Sequence, residues 1–200
     1  MAQIASPYGL RPVQLQGGLP FAGAIRTFAL PANSASAFYF GAPVALVGGQ
    51  PTALTASPTT TVNANSPIGV FMGVEWQDPV RGFVNSQYCP ANLITGGASQ
   101  VKLKILDCPT AVFRIQANGS VAASMVGMNV QLFAASIGTG NVATGNSTLA
   151  ADPAAAVTAT FALKIIGFPN APGSAPGDPF TDLLVIWNAG VHRWDAAAGL

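Results

Sequence analysis

Val101-Lys102-Leu103-Lys104-Ile105-Leu106 and, after the short link Asp107-Cys108-Pro109-Thr110, Ala111-Val112-Phe113-Arg114-Ile115-Gln116 form the stretch that decides the fold class. In the first run Val101, Leu103 and Ile105 share one side of a period-two pattern and Lys102 and Lys104 share the other. That is the pattern of a β-strand with one apolar and one solvated face. In the second run Phe113 and Ile115 alternate with Val112 and Arg114. Asn118-Gly119 then offers a residue pair suited to a tight hairpin turn, so a return strand is expected from Val121 onward. Working outward, further short strands are expected over residues 24–30, 38–46, 68–76, 130–133, 157–168 and 183–187. No stretch sustains a 3.6-residue apolar period. The 22 glycines and 16 prolines are spread so evenly that few gaps could hold a helix of average length. The expectation is an all-β chain with a single barrel-like or sandwich-like domain, and helix content below about 15% against the roughly one third usual in globular domains.

The same punctuation sets the domain organisation. Residues 1–20 hold Pro7, Gly9, Pro12, Gly17, Gly18 and Pro20 and read as an extended N-terminal arm. Residues 21–195 read as the β-rich domain and 196–200 as a flexible tail. Loops are expected over 48–66, 138–147 and 169–179. Connections of such length in a compact domain are usually functional or ordered by a neighbour.

Charge is the strongest compositional signal, since only 8% of the 200 residues are charged where about 25% is usual. With a net charge of +1, the clustered Lys and Arg that displace counterions from nucleic acid are missing, so no nucleic-acid partner is expected. No membrane partner is expected either. The uncharged run 27–74 is interrupted by Pro31, Pro43, Pro51, Pro58 and Pro67, and the stretch 121–137 carries Ser124, Asn129, Gln131 and Ser136. Met1-Ala2-Gln3-Ile4-Ala5-Ser6-Pro7 lacks a basic start and an apolar run, so the chain is expected to act where it is made or assembled.

Catalytic patterns are sparse. His192 is the sole histidine, and with Cys89 and Cys108 it makes a poor metal pattern, with no closely spaced ligand pair. Cys89 and Cys108 read as two buried thiols, with a disulfide between them left open. Glu75 and Asp78 fall at a strand end beside Arg81 and suit a surface ion pair better than a catalytic carboxylate pair. Gly138-Thr139-Gly140-Asn141-Val142-Ala143 matches a relaxed dinucleotide-loop pattern, but Thr144-Gly145-Asn146-Ser147 cannot begin the helix such a loop requires. Asn118-Gly119-Ser120 and Asn146-Ser147-Thr148 read as turns. Trp76, Phe113, Phe133, Phe161 and Trp187 lie in apolar runs and are expected in the core. The chain is therefore expected not to be an enzyme and to use no cofactor and no metal.

Ser6-Pro7-Tyr8-Gly9-Leu10-Arg11-Pro12-Val13, then Lys102 to Asp107 leading into Val112 to Val121, and later Leu163 to Phe168 and Asp182 to Asn188, resemble small capsid-associated proteins of tailed bacteriophages. The resemblance implies a head decoration, or cement, protein. It would be a β-rich, barrel-like domain, commonly a homotrimer, seated on the outer surface of the virion capsid with its arm over neighbouring major capsid protein subunits. Such a protein would be made in the host cytoplasm, and no catalytic residues carry over. Cys108 departs from the family pattern, where an acidic or polar residue is usual, and so does the low loop charge. A phage tail or fibre-associated β-protein that binds a host surface is the alternative. A hydrolase or lyase with a sparse site is a third reading.

Under the capsid reading, the arm residues Pro7, Tyr8, Gly9, Leu10, Arg11 and Pro12 are the expected partner-binding set. The prolines bias the segment toward an extended path, Tyr8 and Leu10 suit apolar pockets, and Arg11 suits a carboxylate on the shell. Trp194, beside His192 and Arg193 near the terminus, is a further candidate contact. Low charge also favours directed self-association through apolar contacts.

Overall fold

The structure is a computed structural model that describes residues 4–196 apart from 22, 33, 62 and 156–158. Of the expected tail, 197–200 lie outside the described residues. The chain is nearly all β, with 42% strand against 4% helix and no helix of seven residues or more, so the expected fold class holds.

The strands run in chain order as β1 (Arg11–Leu15), β2 (Ile25–Ala29), β3 (Phe38–Tyr39), β4 (Pro43–Val47), β5 (Gln50–Ala53), β6 (Pro67–Asp78), β7 (Gly82–Ser86) and β8 (Tyr88–Cys89). They continue as β9 (Ser99–Leu106), β10 (Ala111–Gln116), β11 (Asn129–Leu132), β12 (Gly140–Asn141), β13 (Asn146–Ser147), β14 (Ala151–Asp152), β15 (Leu163–Gly167) and β16 (Asp182–Trp187). Single 3₁₀ turns occupy Ala123–Met125, Ala134–Ser136 and Pro153–Ala155.

Two six-stranded antiparallel sheets dominate. The first has the order β1-β10-β16-β15-β11-β14. The second has the order β2-β9-β6-β4-β5, with β7 paired to the second half of β6. Two-stranded ribbons β3-β8 and β12-β13 complete the set. None of the sheets closes into a barrel. Proline placement follows from its missing N–H. Pro12 and Pro51 lie on the edge strands β1 and β5, while Pro43 and Pro67 are the first residues of their strands.

The deciding stretch forms β9 and β10, but its two strands go to different sheets. Val101, Leu103 and Ile105 point into one core with Val44, Phe71, Val74 and Trp76. Leu106 lies on the Lys102 and Lys104 face, which is not solvated throughout. Together with Val70 and Ala45 it packs into the other core, beneath Phe113, Ile115, Val185 and Trp187 of the first sheet. The second sheet thus supplies apolar side chains to two cores. That explains why β6 is buried along nearly its whole length.

Three expectations need correction. No return strand follows Asn118-Gly119 among the described residues. Distant partners take the backbone groups instead, with Ala117 N–H donating to Thr181 O and Asn118 N–H to Ala151 O, and β10 is flanked by β1 and β16. The run 38–46 breaks at Gly41, whose φ of +86° ends β3 before β4 begins. The expected loops 48–66 and 138–147 contain β5 and the β12-β13 hairpin, while 169–179 holds no strand.

A Cβ on Gly69 in β6 would lie 2.1 Å from Leu106 O of the neighbouring strand β9. Gly69→Ala is therefore expected to cost more than about 3 kcal/mol, or to prevent soluble expression. Urea denaturation followed by tryptophan fluorescence measures it.

Candidate functional site

The expected arm is part of the domain from Ile4 to Leu15. An edge strand suits a segment that contains proline, and β1 runs antiparallel to β10 with Arg11 opposite Arg114 and Pro12 opposite Phe113. Ahead of β1 the segment is held by three side chains on one face of the first sheet. The Gln116 amide binds backbone on both sides, with Oε1 accepting from Ser6 N–H at 2.8 Å and Nε2 donating to Ile4 O at 3.2 Å. Tyr8 Oη donates to Asp182 Oδ1 at 2.7 Å. Arg114 pairs with the other carboxylate oxygen, its Nε at 3.2 Å, and its guanidinium lies 5.8 Å from the Tyr8 ring centre. The Asp182 side chain is wholly buried, and its backbone N–H donates to Ser174 Oγ. Burial and the bond to Asp182 push the Tyr8 hydroxyl above its ordinary pKa, so it stays a proton donor across the physiological range.

The next two residues lock the segment between the sheets. Gly9 N–H donates to Leu149 O and Leu10 N–H to Gly41 O at 2.9 Å, while Gly41 N–H donates to Phe71 O in the second sheet. Gly9 and Gly41 lie back to back in the left-handed region. A Cβ on Gly9 would meet Gly41 O at 2.8 Å, a position for glycine alone. Leu10 is wholly buried in the first core. The Arg11 guanidinium lies 4.4 Å from the Phe40 ring centre, and its partial burial lowers its pKa.

The groups of Tyr8, Leu10 and Arg11 expected to engage a partner are thus engaged within the chain. The structure brings Pro7 to Pro12 together as an internal clasp. Sequence reasoning missed its other half, Gln116, Arg114 and Asp182. The available signal was the shared parity of Arg114 and Gln116 in an apolar strand, together with an aspartate heading the apolar run Leu183 to Trp187.

Trp194 lies elsewhere, on a turn over one end of the second sheet. Arg193 holds that turn, its N–H donating to Pro67 O and its Nη1 to Leu46 O. Trp194 is 46% exposed, with the Arg26 guanidinium 5.6 Å from its ring and Arg26 also paired to Asp107 at 2.8 Å. Its N–H donates to His192 Nδ1 at 3.3 Å. His192 is wholly buried, and that burial lowers its pKa to about 4 against the opposing pull of Asp107 and Asp195.

The remaining chemical candidates separate. Glu75 pairs with Lys104 at 2.9 Å, not with Arg81. Asp78 instead accepts the backbone N–H groups of Val80 and Arg81, which lower its pKa. Both cysteines are free, and burial pushes the Cys89 thiol up to about 12, out of reach of thiolate chemistry at neutral pH. Cys108 is only half-buried. Gly140 and Asn146 belong to the β12-β13 hairpin, so no helix follows the glycine-rich match. Among the described residues no three of His, Cys, Asp and Glu gather as a metal site, and no helix is long and apolar enough to cross a membrane. A concavity of about 500 Å³ lies within the loop Phe168 to Asp178. Its one carboxylate, Asp178, accepts the Ala175 N–H through Oδ2. Comparison with protein-family models, with curated proteins and with solved structures finds no match to this chain.

Deletion of residues 1–15 is expected to destabilise the domain severely, because it empties the Leu10 site and strips β10 of a neighbour. Tyr8→Phe, which removes one hydrogen bond from a buried carboxylate, is expected to cost about 1.5–3 kcal/mol. Thermal melts of both variants test the clasp.

A second test uses pH. The unfolded histidine takes its proton near 6.5 and the folded one near 4, so between these values the unfolded state binds more protons. The His192 contribution is complete above about pH 6.5 and is lost as the pH falls toward 4. Urea melts at about pH 7.5 and about pH 4.5 should differ by about 2–3 kcal/mol more in the native chain than in His192→Asn.

Proposed function

We propose that the chain is a structural virion protein that decorates and stabilises a bacteriophage capsid, binding the outer surface of the major capsid protein lattice as a homotrimer. The observation that carries the reading is the chemistry of the exterior. Ile4, Leu19, Val80, Phe83 and Val142 are each at least 60% exposed, in a chain of which only 8% is charged. Several of the charges are also tied to groups of their own chain. Arg26, Lys104 and Arg114 are paired with Asp107, Glu75 and Asp182, and Arg11 and Arg193 lie on a ring and a carbonyl of their own chain. A surface with many apolar and few free ionic groups suits a protein that works covered by neighbours.

The clasp moves the proposed contact surface away from residues 7–12 and onto the exposed loops, the β6-β7 tip and Trp194. A half-exposed tryptophan stacked near an arginine is a residue pair that often dominates interface energy. The low charge implies apolar rather than ionic attachment, hence weak dependence on salt.

Densitometry of purified particles is expected to show the chain at hundreds of copies per capsid. Co-sedimentation with empty shells should persist at about 1 M salt, where ionic contacts are screened. Trp194→Ala should weaken that binding about tenfold, or about 1.4 kcal/mol, with an unchanged melting temperature. A handful of copies per particle would instead favour the tail or fibre reading, and absence from particles would overturn both.

A further inference from the structure

We propose that Asn118-Gly119 is a site of covalent self-modification in the folded chain, where the Asn118 side-chain amide is lost as ammonia and an aspartyl or isoaspartyl residue takes its place. The chemistry needs only the chain and water, and it does not depend on capsid attachment.

Such a reaction makes three demands on an asparagine. The next backbone nitrogen must be free to attack, the side-chain amide must be free to turn toward it, and the next residue must not crowd the approach. Asn118 is the only asparagine in the chain followed by glycine. It is exposed, on a bend beyond the end of β10 and outside any strand. Among the described residues, neither its side-chain amide nor the Gly119 N–H has a hydrogen-bond partner. Glycine brings no Cβ to obstruct ring closure and allows the widest range of backbone angles.

Other asparagines fail at least one demand. Asn141 Oδ1 accepts the Ala143 and Thr144 N–H groups, and the β-branched Val142 follows it. Asn63 and Asn65 each spend Oδ1 on a backbone N–H. Asn188 Nδ2 donates to Ala159 O and Phe161 O. Beside Asn146, the attacking nitrogen would be that of Ser147, whose N–H donates to Phe40 O. A bound amide has to give up its hydrogen bond before it can react.

The step balances without an oxidant or a cofactor. Base removes the Gly119 N–H proton, and the nitrogen lone pair forms a bond to Asn118 Cγ. The Cγ–Nδ2 bond breaks, and Nδ2 leaves as ammonia with protons from solvent. Water then opens the resulting five-membered imide. Attack at Cγ restores the main chain with an aspartyl side chain. Attack at the Asn118 backbone carbonyl carbon leaves Gly119 joined through Cγ, an isoaspartyl link. The sum is one water consumed and one ammonia released. Either product carries a new carboxylate, which takes the net charge from +1 to zero.

The isoaspartyl link also lengthens the main chain where it is tied on both sides. Asn118 N–H donates to Ala151 O at 2.7 Å, Ser120 Oγ donates to Gly177 O at 2.7 Å, and Gly177 N–H donates to the carbonyl of the wholly buried Val121.

The test is ageing of the full chain in warm, mildly alkaline buffer, followed by isoelectric focusing and by peptide mapping in acid with mass spectrometry. The native chain is expected to give a new acidic band at the position of Asn118→Asp, with the amide-to-acid mass change at Asn118 at least about tenfold faster than at any other described asparagine. Gly119→Ala is expected to slow it about tenfold or more. That variant should fold, since a Cβ there meets only Pro153 Cγ at 3.4 Å and the backbone is not in the left-handed region. A parallel sample in urea separates the sequence from its folded setting. The proposal is overturned if the folded chain stays intact while the urea-unfolded chain reacts, if another asparagine reacts first, or if Gly119→Ala reacts as fast as the native chain.

Discussion

The rest of the structure depends on the close approach of two glycine backbones, Gly9 and Gly41. A Cβ on Gly9 would meet Gly41 O at 2.8 Å, one on Gly41 would press on the Leu10 and Tyr8 backbone at 3.1–3.2 Å, and both residues hold a positive φ. Their approach lets one short segment bond to Leu149 on one side and, through Gly41, to Phe71 of the second sheet on the other. Leu10, the next residue, is thereby placed in the first core. Two open sheets that share no strand are joined by this clasp, and within the second sheet Gly69 lets β6 lie close against Leu106 of β9. Each close approach exists because a Cβ is missing where the backbones meet.

Scarcity of charge has a structural counterpart. With only seven acidic residues, nearly every carboxylate has an internal task. Asp182 anchors Tyr8, Asp107 meets Arg26, and Asp78, Asp152 and Asp178 accept backbone N–H groups in turns. The exterior that remains is polar through amides and hydroxyls and apolar through isolated large side chains. Such a surface lacks the like-charge repulsion that usually keeps proteins apart.

Local pattern alone determined that the chain is β-rich. Period-two alternation in 101–106 and 111–116, with glycine and proline punctuation, depends only on near neighbours, and β9 and β10 appear where the alternation lies. Proline confined β1 and β5 to sheet edges for an equally local reason, a missing N–H. Tertiary structure decided which strands pair, that β9 and β10 serve different sheets, and that Asn118-Gly119 opens no hairpin. Backbone groups there find partners more than thirty residues away, which no local rule registers. It also decided the role of residues 7–12. Two prolines imply an extended segment, but whether its Tyr, Leu and Arg face outward or inward depends on Asp182, Gly41 and Phe40, all distant in sequence. An extended strand carries no record of what it lies against, so the same residues that read as a free arm close the fold.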